Sequence, residues 1–522
     1  MRTPAPWLVP LPDAETMRAV DRWAIDERGV SGLELMERAG AGVARAVESL
    51  APGGPVTVVC GKGNNGGDGL VVARLLRHAG RPVTVVCLAP PEEYAGDARA
   101  NLERLPGDPP VQLSDAAWTG QAALVDAVLG TGFQGVPRGA AAEAIDALGS
   151  ADAPVVSVDV PSGVDASTGV VSGAAVRAAL TVTFHAAKPG LWIRPGKAHA
   201  GTVQTLDIGI PRGAPGETSV GLIAPSVLAQ LPRRGAASTK FSSGHVLVVG
   251  GSRGLTGAPR MAAEASMRAG AGYVAACIPA SLQDVLATAA TPELMTRGLP
   301  GDDSDGALTP DALASVREAS ARVGAIALGP GLGRSAGAFA FARALAAEAG
   351  VAMVLDADGL NAHAGRLGDL ASRGAPTVLT PHAGELGRLL EQGSAEIERE
   401  RLRHVRAAAE LAGAVVVLKG DDTLVAAPDG SVAVSRGDSP ALATAGTGDV
   451  LSGVIAALLA QGLDAFTAAA AGVWLHAEAG RQAALRLGAA EGVIATDVIA
   501  ALPAARRRCA CDDRGVAEGG SG

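Results

Sequence analysis

The sequence predicts two α/β domains, each built on a parallel β-sheet with helices on both faces. Short continuous apolar runs alternate with helical patterns along most of the 522 residues, which is typical of buried parallel strands. A stretch rich in Gly, Pro, Ser and Ala at 211–235 separates two such series and has the composition of a domain junction. Apolar residues make up 48% of the chain and charged residues 19%, which excludes disorder as the dominant state.

The first domain is predicted to cover residues 1–215. Apolar residues recur at helical spacing through 13–50, so we expect a helix there, and a second helix is predicted at 70–79. The predicted strands are short apolar runs rich in β-branched residues, at 55–60, 82–88, 123–129 and 155–160. The series ends near 208–211.

The second domain is predicted to cover residues 235–505, after a linker at 216–234. Its predicted strands lie at 246–249, 326–328, 352–355, 377–379, 415–418 and 423–427. A long apolar helix is expected after Gly448. The polar, Gly-rich residues at 506–522 predict a flexible tail.

Charge and cysteine usage exclude several classes of protein. Lys and Arg number 44 against 53 Asp and Glu, and no long basic run is present, so nucleic acid is not expected as a partner. The five cysteines are not spaced for zinc and predict free thiols, but the pattern assigns no role to Cys509 and Cys511. The N-terminus lacks the apolar region of a signal peptide, and no apolar stretch is long enough to span a bilayer. We therefore expect a soluble, cytoplasmic protein with no membrane partner.

A glycine-rich turn in the first domain has the features of a ligand-binding loop. The string GKGNNGGDG at 61–69 joins a predicted strand to a predicted helix. Its glycines let backbone N–H groups approach a ligand, and a helix N-terminus favours phosphate. The side chains of Asn64, Asn65 and Asp68 add groups that can bind sugar hydroxyls or a cation.

Polar residues also end two further strands of the first domain. Asp126 precedes the string GTGFQGV at 130–136, and Asp159 precedes Ser162. Because ligands of open α/β sheets bind at the carboxyl ends of the strands, we expect these groups to lie in one crevice. Asn65, Asp126 and Ser162 offer oxygen ligands for a hard cation, and Asp159 is a candidate general acid or base.

The second domain carries a comparable row of strand-end strings. GGSRGLTGA at 250–258 and GPGLG at 329–333 are glycine turns, and KGDDT at 419–423 suits nucleotide contacts. The string AGTGD at 445–449 opens the long helix, so its N–H groups can form an anion hole while Asp449 takes a hydroxyl proton. Neither GxxxxGK[ST] nor HExxH is present, so we expect phosphoryl transfer by a route other than a P-loop.

These strings resemble two known domain families over about residues 13–505. GNNGGDG, DAVLGTG and VSVDVPSGVDASTG are similar to the NAD(P)H-hydrate epimerase, or YjeF N-terminal, domain. GSRGLTGAP, GPGLG, DADGLN, TPHAGE, KGDDT and AGTGDVLSG are similar to the ADP-dependent NAD(P)H-hydrate dehydratase domain. The resemblance implies an N-terminal Rossmann-like three-layer sandwich and a C-terminal ribokinase-like α/β/α domain.

The resemblance also implies a bifunctional enzyme that repairs nicotinamide nucleotides. NADH and NADPH can add water across the C5–C6 double bond, which gives R and S hydrates that differ at C6. In the family the first domain interconverts these epimers with a bound potassium ion. The second domain dehydrates the S form by phosphorylating the 6-hydroxyl from ADP, with magnesium shielding the phosphates, and eliminating phosphate. The family further implies a homo-oligomer.

Site residues follow from the resemblance by matching positions. Asp159 and Asp449 are the implied catalytic residues, and Asn65, Asp126 and Ser162 the implied potassium ligands. The implied hydrate contacts in the first domain are Asn64, Asn65, Gly66, Gly67, Asp68, Gly130, Thr131, Gly132, Phe133, Gln134, Gly135, Val136 and Asp159. In the second domain the implied hydrate contacts are Ala258, Gly333, His382 and Asp449. The implied nucleotide contacts are Lys419, Gly420, Asp421, Asp422, Thr423 and Gly448.

Two alternatives remain open on the sequence alone. The second domain could be a vitamin-alcohol kinase that releases a stable phosphate ester, because an AGTGD anion hole serves both reactions. The first domain could be a non-catalytic Rossmann-like binding module. The presence of Asn65, Asp126 and Asp159 argues against this alternative. The patterns do not decide between ADP and ATP, or between NADH and NADPH.

Overall fold

The structure is a computed structural model that describes residues 5–302, 304–437 and 439–507. The described chain divides into two compact units. One runs from Pro10 to Gly221, and the other comprises Ala5–Val9 together with the chain from Leu222 onward. Cys509, Cys511 and the rest of the predicted tail beyond residue 507 lie outside the described residues.

The first unit follows a short strand, β1 (Leu8–Pro10). Its elements are, in order, α1 (Ala14–Asp26), α2 (Gly32–Leu50), β2 (Val56–Cys60), α3 (Asn64–His78), β3 (Val83–Cys87), α4 (Gly96–Glu103), β4 (Ala123–Ala127), α5 (Ala140–Ser150), β5 (Val155–Val158), β6 (Leu180–Phe184), α6 (Lys197–Ala200) and β7 (Thr202–Leu206). The sheet has the order β3-β2-β4-β5-β6-β7, and every neighbouring pair is parallel.

The four strands predicted in this unit correspond to β2, β3, β4 and β5. The helical structure predicted at 13–50 is present as two helices, α1 and α2. Gly29 has φ +69°, a left-handed conformation that ends α1, and α2 starts after Ser31. Strands β6 and β7 were not predicted; β7 is largely exposed and therefore lacks a continuous apolar run.

The second unit contains the remaining elements. They are β8 (Val220–Ile223), β9 (His245–Val249), α7 (Gly257–Arg268), β10 (Tyr273–Pro279), α8 (Gln283–Ala289), β11 (Met295–Leu299), β12 (Gly301–Asp302), β13 (Ala307–Leu308), α9 (Leu313–Ser320), β14 (Ala325–Leu328), α10 (Ala336–Glu348), β15 (Ala352–Leu355), α11 (Asp358–Asn361), β16 (Thr377–Leu379), α12 (Ala383–Leu390), α13 (Ser394–Arg399), α14 (Arg401–Ala412), β17 (Val415–Leu418), β18 (Leu424–Ala426), β19 (Val432–Val434), α15 (Thr447–Ala460), α16 (Ala465–Leu487) and α17 (Ala495–Ala505).

The large sheet of this unit has the order β1-β8-β19-β18-β17-β16-β15-β14-β9-β10-β11. Pairing is parallel from β17 through β16, β15, β14, β9 and β10 to β11, and antiparallel between β17, β18 and β19. The six strands predicted here are present as β9, β14, β15, β16, β17 and β18. The prediction of two α/β units with parallel sheets is thus confirmed.

The segment around the unit boundary is more ordered than its composition indicates. The linker predicted at 216–234 contains β8 and a 3₁₀ turn at Pro225–Gln230. Trp7, from the N-terminal end of the chain, is buried in the core of the second unit, and its ring lies 5.7 Å from that of Phe466. The apolar side chains of β8 and Trp7 explain why these residues fold with a sheet instead of remaining a linker.

Helices α15 and α7 approach each other closely in the core of the second unit. A Cβ atom built on Gly453 of α15 would lie 2.0 Å from the carbonyl oxygen of Ala262 in α7. Only glycine allows this approach of the two backbones. Among the described residues, no helix combines the length and apolar character needed to cross a membrane.

We expect Gly453→Ala to destabilise the second unit by about 1–3 kcal/mol, because the added methyl group overpacks the contact between α15 and α7. Alanine alone favours a helix by about 0.5–1 kcal/mol over glycine, so net destabilisation identifies the steric contact as the cause. Denaturant unfolding measures the change. Gly350→Ala is the control, since its Cβ would meet nothing within 4 Å; equal effects of the two substitutions would contradict the prediction.

Candidate active sites

The first unit has a cavity of about 970 Å³ at the carboxyl ends of β2, β4 and β5. Helix α1, the start of α3 and the loop after β4 also contribute to its walls. The predicted site residues that line it are Asn64, Asn65, Asp68, Gly130, Thr131, Gly132, Phe133, Gln134 and Asp159. The strand ends therefore converge on one crevice, as the parallel sheet requires.

Several predicted contact residues do not line this cavity. A Cβ on Gly66 would lie 1.7 Å from the carbonyl oxygen of Gly61, and one on Gly67 would lie 2.7 Å from the Met36 side chain. These two glycines therefore pack α3 closely against its surroundings, and this packing explains the glycine-rich string. Gly135 and Val136 also lie outside the lining, and Val136 is half exposed.

Asp159 lies at the end of β5 in a left-handed conformation, φ +67°. Its carboxylate accepts hydrogen bonds from Lys188 Nζ at 2.5 Å, from Thr183 Oγ1 at 3.1 Å and from Thr131 Oγ1. Burial alone would raise the pKa of Asp159, but the buried Lys188 ammonium and these hydrogen bonds outweigh it and hold the pKa below its usual range. Asp159 is therefore ionised at neutral pH.

Asp126 and Ser162 lie behind the cavity wall. The Asp126 carboxylate is fully buried and accepts hydrogen bonds from Ser162 Oγ at 2.5 Å, Ser157 Oγ at 2.8 Å and Ser162 N at 2.9 Å. Burial raises its pKa, and no cationic side chain among the described residues contacts it. Asn65 packs against Gly130, and its buried Nδ2 atom has no partner in the described part of the chain.

Two further carboxyl groups face the cavity beside Asp159. Asp68 comes from α3, and Asp21 comes from α1, which sequence reasoning treated only as a helix. Burial raises the pKa of Asp21, with Lys188 opposing and Asp159 adding to the shift. Lys188 and Asp21 were both missed. The only sequence signal for Asp21 is its position next to the apolar stripe of α1. A charged residue at such a position is more simply interpreted as exposed to solvent.

In the second unit a charged cluster lies where β15 and β17 end. Lys419 Nζ lies 3.0 Å from Asp356 Oδ1 and 3.7 Å from Glu385 Oε2. Ser452 of α15 donates to Asp356 Oδ2 at 2.5 Å. Burial would lower the pKa of Lys419, but the two carboxylates outweigh it and raise the pKa, so the lysine is charged.

The first turn of α15 lies against this cluster. A Cβ on Gly448 would lie 3.5 Å from Lys419 Nζ, so the helix N-terminus approaches the ammonium closely. Burial and the charge of Asp356 raise the pKa of Asp449 to about 7, with Glu385 adding to the shift and Lys419 opposing it. A carboxyl group with this pKa can exchange a proton near neutral pH.

His382 caps helix α12. Its Nδ1 accepts from Gly384 N at 3.0 Å and Glu385 N at 3.3 Å, and Glu385 Oε2 accepts from His382 N at 2.9 Å. The ring is therefore fixed through Nδ1, while its side chain stays 55% exposed. Burial lowers the pKa of His382 more than Glu385 raises it, which favours the neutral ring.

Buried side chains stabilise the turn at 419–423 that was predicted to bind nucleotide. Asp422 is fully buried and pairs with the buried Arg401, whose Nε lies 3.0 Å from Asp422 Oδ2. Arg401 also donates to the carbonyl oxygen of Lys419 at 3.2 Å, and Thr423 Oγ1 donates to that of Gly420 at 2.6 Å. The Asp422 side chain thus points into the protein, whereas Gly420 and Asp421 are exposed.

The glycine turns after β9 and β14 lie against each other. Gly333 N donates to Asp358 Oδ2 at 3.1 Å, and Ser252 Oγ donates to the carbonyl oxygen of Gly331 at 2.9 Å. A Cβ on Gly331 would lie 3.3 Å from that of Ala258. Ala258, at the start of α7, and Gly333, in the turn after β14, therefore lie at the same carboxyl edge of the sheet.

Comparisons with known proteins match both units. The family model described as NAD(P)H-hydrate dehydratase matches residues 246–504, and that of the YjeF-related protein N-terminus matches residues 32–190. A bifunctional NAD(P)H-hydrate repair enzyme from Moorella thermoacetica is 41% identical over 507 residues, with 94% of this chain and 95% of the relative covered. One from Salinibacter ruber is 42% identical over 531 residues, with 95% of each chain covered.

A solved structure is similar to the second unit. It is the crystal structure of the ADP/ATP-dependent NAD(P)H-hydrate dehydratase from Bacillus subtilis, co-crystallised with ATP and Mg²⁺. The alignment has a TM-score of 0.46 and 29% sequence identity, and it covers 54% of this chain and 95% of that chain.

We expect Asp449→Asn to stabilise the second unit by an amount that grows as the pH rises from about 4 to about 7. The pKa of Asp449 in the folded protein is about 7, above its ordinary value of 3.8. The folded wild type therefore has its full stability below pH 3.8, where Asp449 is protonated, and loses stability as the pH rises towards 7. The loss is at most about 1.4 kcal/mol per pH unit. Thermal unfolding across this range measures it.

Gly350→Ala, which removes no ionisable group and whose Cβ would meet nothing within 4 Å, is the control and should give a stability difference that does not change with pH. A pH-independent difference for Asp449→Asn as well would contradict the raised pKa.

Proposed function

Because the chain belongs to the family of bifunctional NAD(P)H-hydrate repair enzymes, we propose that each of its units performs one of the two repair reactions. The first unit epimerises the R and S hydrates of NADH and NADPH at C6. The second unit dehydrates the S form to NADH or NADPH at the expense of ADP. The observation that carries the proposal is the carboxyl group that each unit presents beside strand-end polar groups, the buried Asp159 in one and the half-buried Asp449 in the other.

The cavity of the first unit binds the hydrated nicotinamide. Its volume of about 970 Å³ is within the range of small-molecule sites. Asp159 acts on the C6 centre as a general acid or base, and the buried Lys188 with Thr131 and Thr183 fixes its carboxylate in one orientation. The glycine-rich turn before α3 supplies amide groups for the polar parts of the substrate.

Potassium fits the polar groups behind this cavity. The buried Asp126 carboxylate contacts only uncharged donors in the described chain, so a cation would supply the missing positive charge. Ser162 Oγ and the Asn65 amide add oxygen ligands. The buried Asn65 Nδ2 lacks a partner, and with the amide turned over this position presents Oδ1 to a cation. A bound potassium ion supplies electrostatic stabilisation of the loop between Asp126 and Gly130.

The second unit transfers a phosphoryl group to the 6-hydroxyl of the S hydrate. Asp449 takes the hydroxyl proton, the hydroxyl oxygen attacks the β-phosphorus of ADP, and AMP leaves. The N–H groups at the start of α15 and the Lys419 ammonium stabilise the charge on the transferred group. Elimination of phosphate with the C5 proton then restores the double bond. Gly420 and Asp421 in the exposed turn contact the nucleotide.

Magnesium fits the charge balance at this site. Asp356, Glu385 and Asp449 place three carboxyl groups near the Lys419 ammonium, and burial together with the charges of Asp356 and Glu385 raises the pKa of Asp449. A bound magnesium ion supplies shielding of the ADP phosphates. His382, with its ring fixed through Nδ1, contacts the hydrate through Nε2.

We expect the two activities to separate by mutation. Asp159→Asn should lower the epimerisation rate by about 10²–10⁴-fold and leave dehydration of the S hydrate intact. Asp449→Asn should do the reverse. Asparagine is the chosen replacement because it tolerates the left-handed backbone of residue 159. The measurement is recovery of dihydronicotinamide absorbance from mixed R and S hydrates of NADH with ADP, magnesium and potassium, where Asp159→Asn should recover the S fraction only.

Asp165→Asn is the matched control, because Asp165 caps a neighbouring turn by accepting from Ser167 N at 2.9 Å and lies outside the cavity lining. It should retain both activities. Loss of both activities in either active-site variant would contradict independent sites, and a stable phosphate ester as product would favour a vitamin-alcohol kinase.

We expect replacement of potassium by lithium to abolish epimerisation and to lower the Tm of the first unit, while dehydration of the S form continues. The reason is that the smaller ion does not span the oxygen atoms of Asn65, Asp126 and Ser162. Differential scanning calorimetry and the coupled absorbance assay measure the two effects. Equal Tm values in both salts would argue against a cation at Asp126.

A further inference from the structure

Asp68 is a buried carboxyl group whose surroundings differ from those of Asp159. It lies on the wall of the epimerase cavity, and its side chain has no hydrogen-bond partner among the residues that the structure describes. The residue is only 9% exposed. A carboxyl group that is nine-tenths buried, unpaired and directed into a ligand cavity is costly unless it is protonated or meets a ligand.

Asp159 cannot perform every proton transfer at this site alone. Lys188 and Thr183 occupy its Oδ1 atom, and Thr131 occupies its Oδ2 atom. All of these groups donate hydrogen bonds to the ionised form, so the carboxylate is held without a proton at neutral pH. Asp159 can therefore accept a proton from an attacking water but has none to give to a leaving hydroxyl group.

The chemistry of C6 requires a proton donor as well as an acceptor. C6 of the hydrate carries a hydroxyl group and is bonded to the ring nitrogen N1. Inversion by exchange of this hydroxyl breaks the C6–O bond, with the N1 lone pair forming a C6=N1 double bond. Hydroxide is a poor leaving group, so the oxygen must leave as water after it receives a proton. Water then adds to the other face of C6 and loses a proton to a base.

We propose that Asp68 is the general acid of the epimerisation, paired with Asp159 as the base. This inference rests on the proposed function of the first unit. Asp68 gives its proton to the C6 hydroxyl, which leaves as water, and Asp159 takes the proton of the water that adds to the opposite face. Asp159 then releases this proton to solvent through the cavity, and solvent returns a proton to Asp68. The reverse reaction retraces these steps from the state in which Asp159 still carries the proton. No step changes an oxidation state, so no oxidant or reductant is needed.

The electrostatics of the cavity support this division of roles. Burial, Asp159 and Asp21 all raise the pKa of Asp68 well above its usual value, and Lys188 opposes them only in part. Lys188 lies against Asp159, so its charge acts mainly on that carboxylate. Two neighbouring carboxyl groups whose pKa values are moved in opposite directions are suited to acid and base roles in one reaction.

The test compares Asp68→Asn with Asp165→Asn in the full chain. Asparagine keeps the size of Asp68 and removes its proton, so the epimerisation kcat should fall by about 10²–10⁴-fold with little change in KM. Dehydration of the S hydrate should be unchanged. Asp165→Asn, at a carboxyl group outside the cavity lining, should retain kcat within about threefold. An Asp68→Asn variant that epimerises within about threefold of the wild type would overturn the proposal.

Two measurements on the wild type remain decisive if Asp68→Asn does not fold. In ¹⁸O-labelled water the enzyme should incorporate label at the C6 hydroxyl at the rate of epimerisation, and epimerisation without label would overturn the proposal. The epimerisation kcat should also fall at alkaline pH as the acid loses its proton, and a flat profile would likewise overturn it. A wild type that does not epimerise at all would instead refute the proposed function of the first unit.

Discussion

Both sites depend on carboxylates that are buried at the ends of parallel strands. Asp126 lies near the end of β4, Asp159 and Asp356 directly follow β5 and β15, and each carboxylate has a different set of partners. Neutral donors surround Asp126, the Lys188 ammonium pairs with Asp159, and Lys419 with Ser452 holds Asp356. A buried carboxylate is stable only with such partners, so these contacts fix the loops that form the cavity and the charged cluster.

The pKa values follow from these different partners. Where a lysine contacts the carboxylate directly, as at Asp159, the pKa of that carboxyl group is lowered. Where burial and like charges outweigh the effect of a lysine, as at Asp68, the pKa is raised. Asp449 belongs to the second group because Lys419 is already paired with Asp356. In each site, the carboxyl group nearest to the lysine ammonium is therefore held ionised, and a carboxyl group farther from it can carry a proton.

Local patterns predicted the strands and the strand-end residues but not the pairing between distant segments. The β-branched runs of β2 and β5 are visible in the sequence, whereas β10, with two alanines, also suits a helix. Asp159 was found because it ends a strand, while its partner Lys188 belongs to a later segment with no local signal. Asp422 looks like a ligand contact until Arg401, from helix α14, is seen beside it. That the chain forms a homo-oligomer, as the family resemblance implies, remains a prediction.

The N-terminal strand has a consequence for how the protein is made. Residues Ala5–Val9 belong to the second unit, and β1 pairs with β8, which is synthesised only after the whole first unit. During translation β1 is therefore synthesised before its partner β8, and the two strands can pair only after the intervening residues have been made. An excised second unit would lack Trp7 and expose the edge of β8, and an unpaired edge promotes aggregation. The gene is thus not divisible at the boundary that the two families indicate.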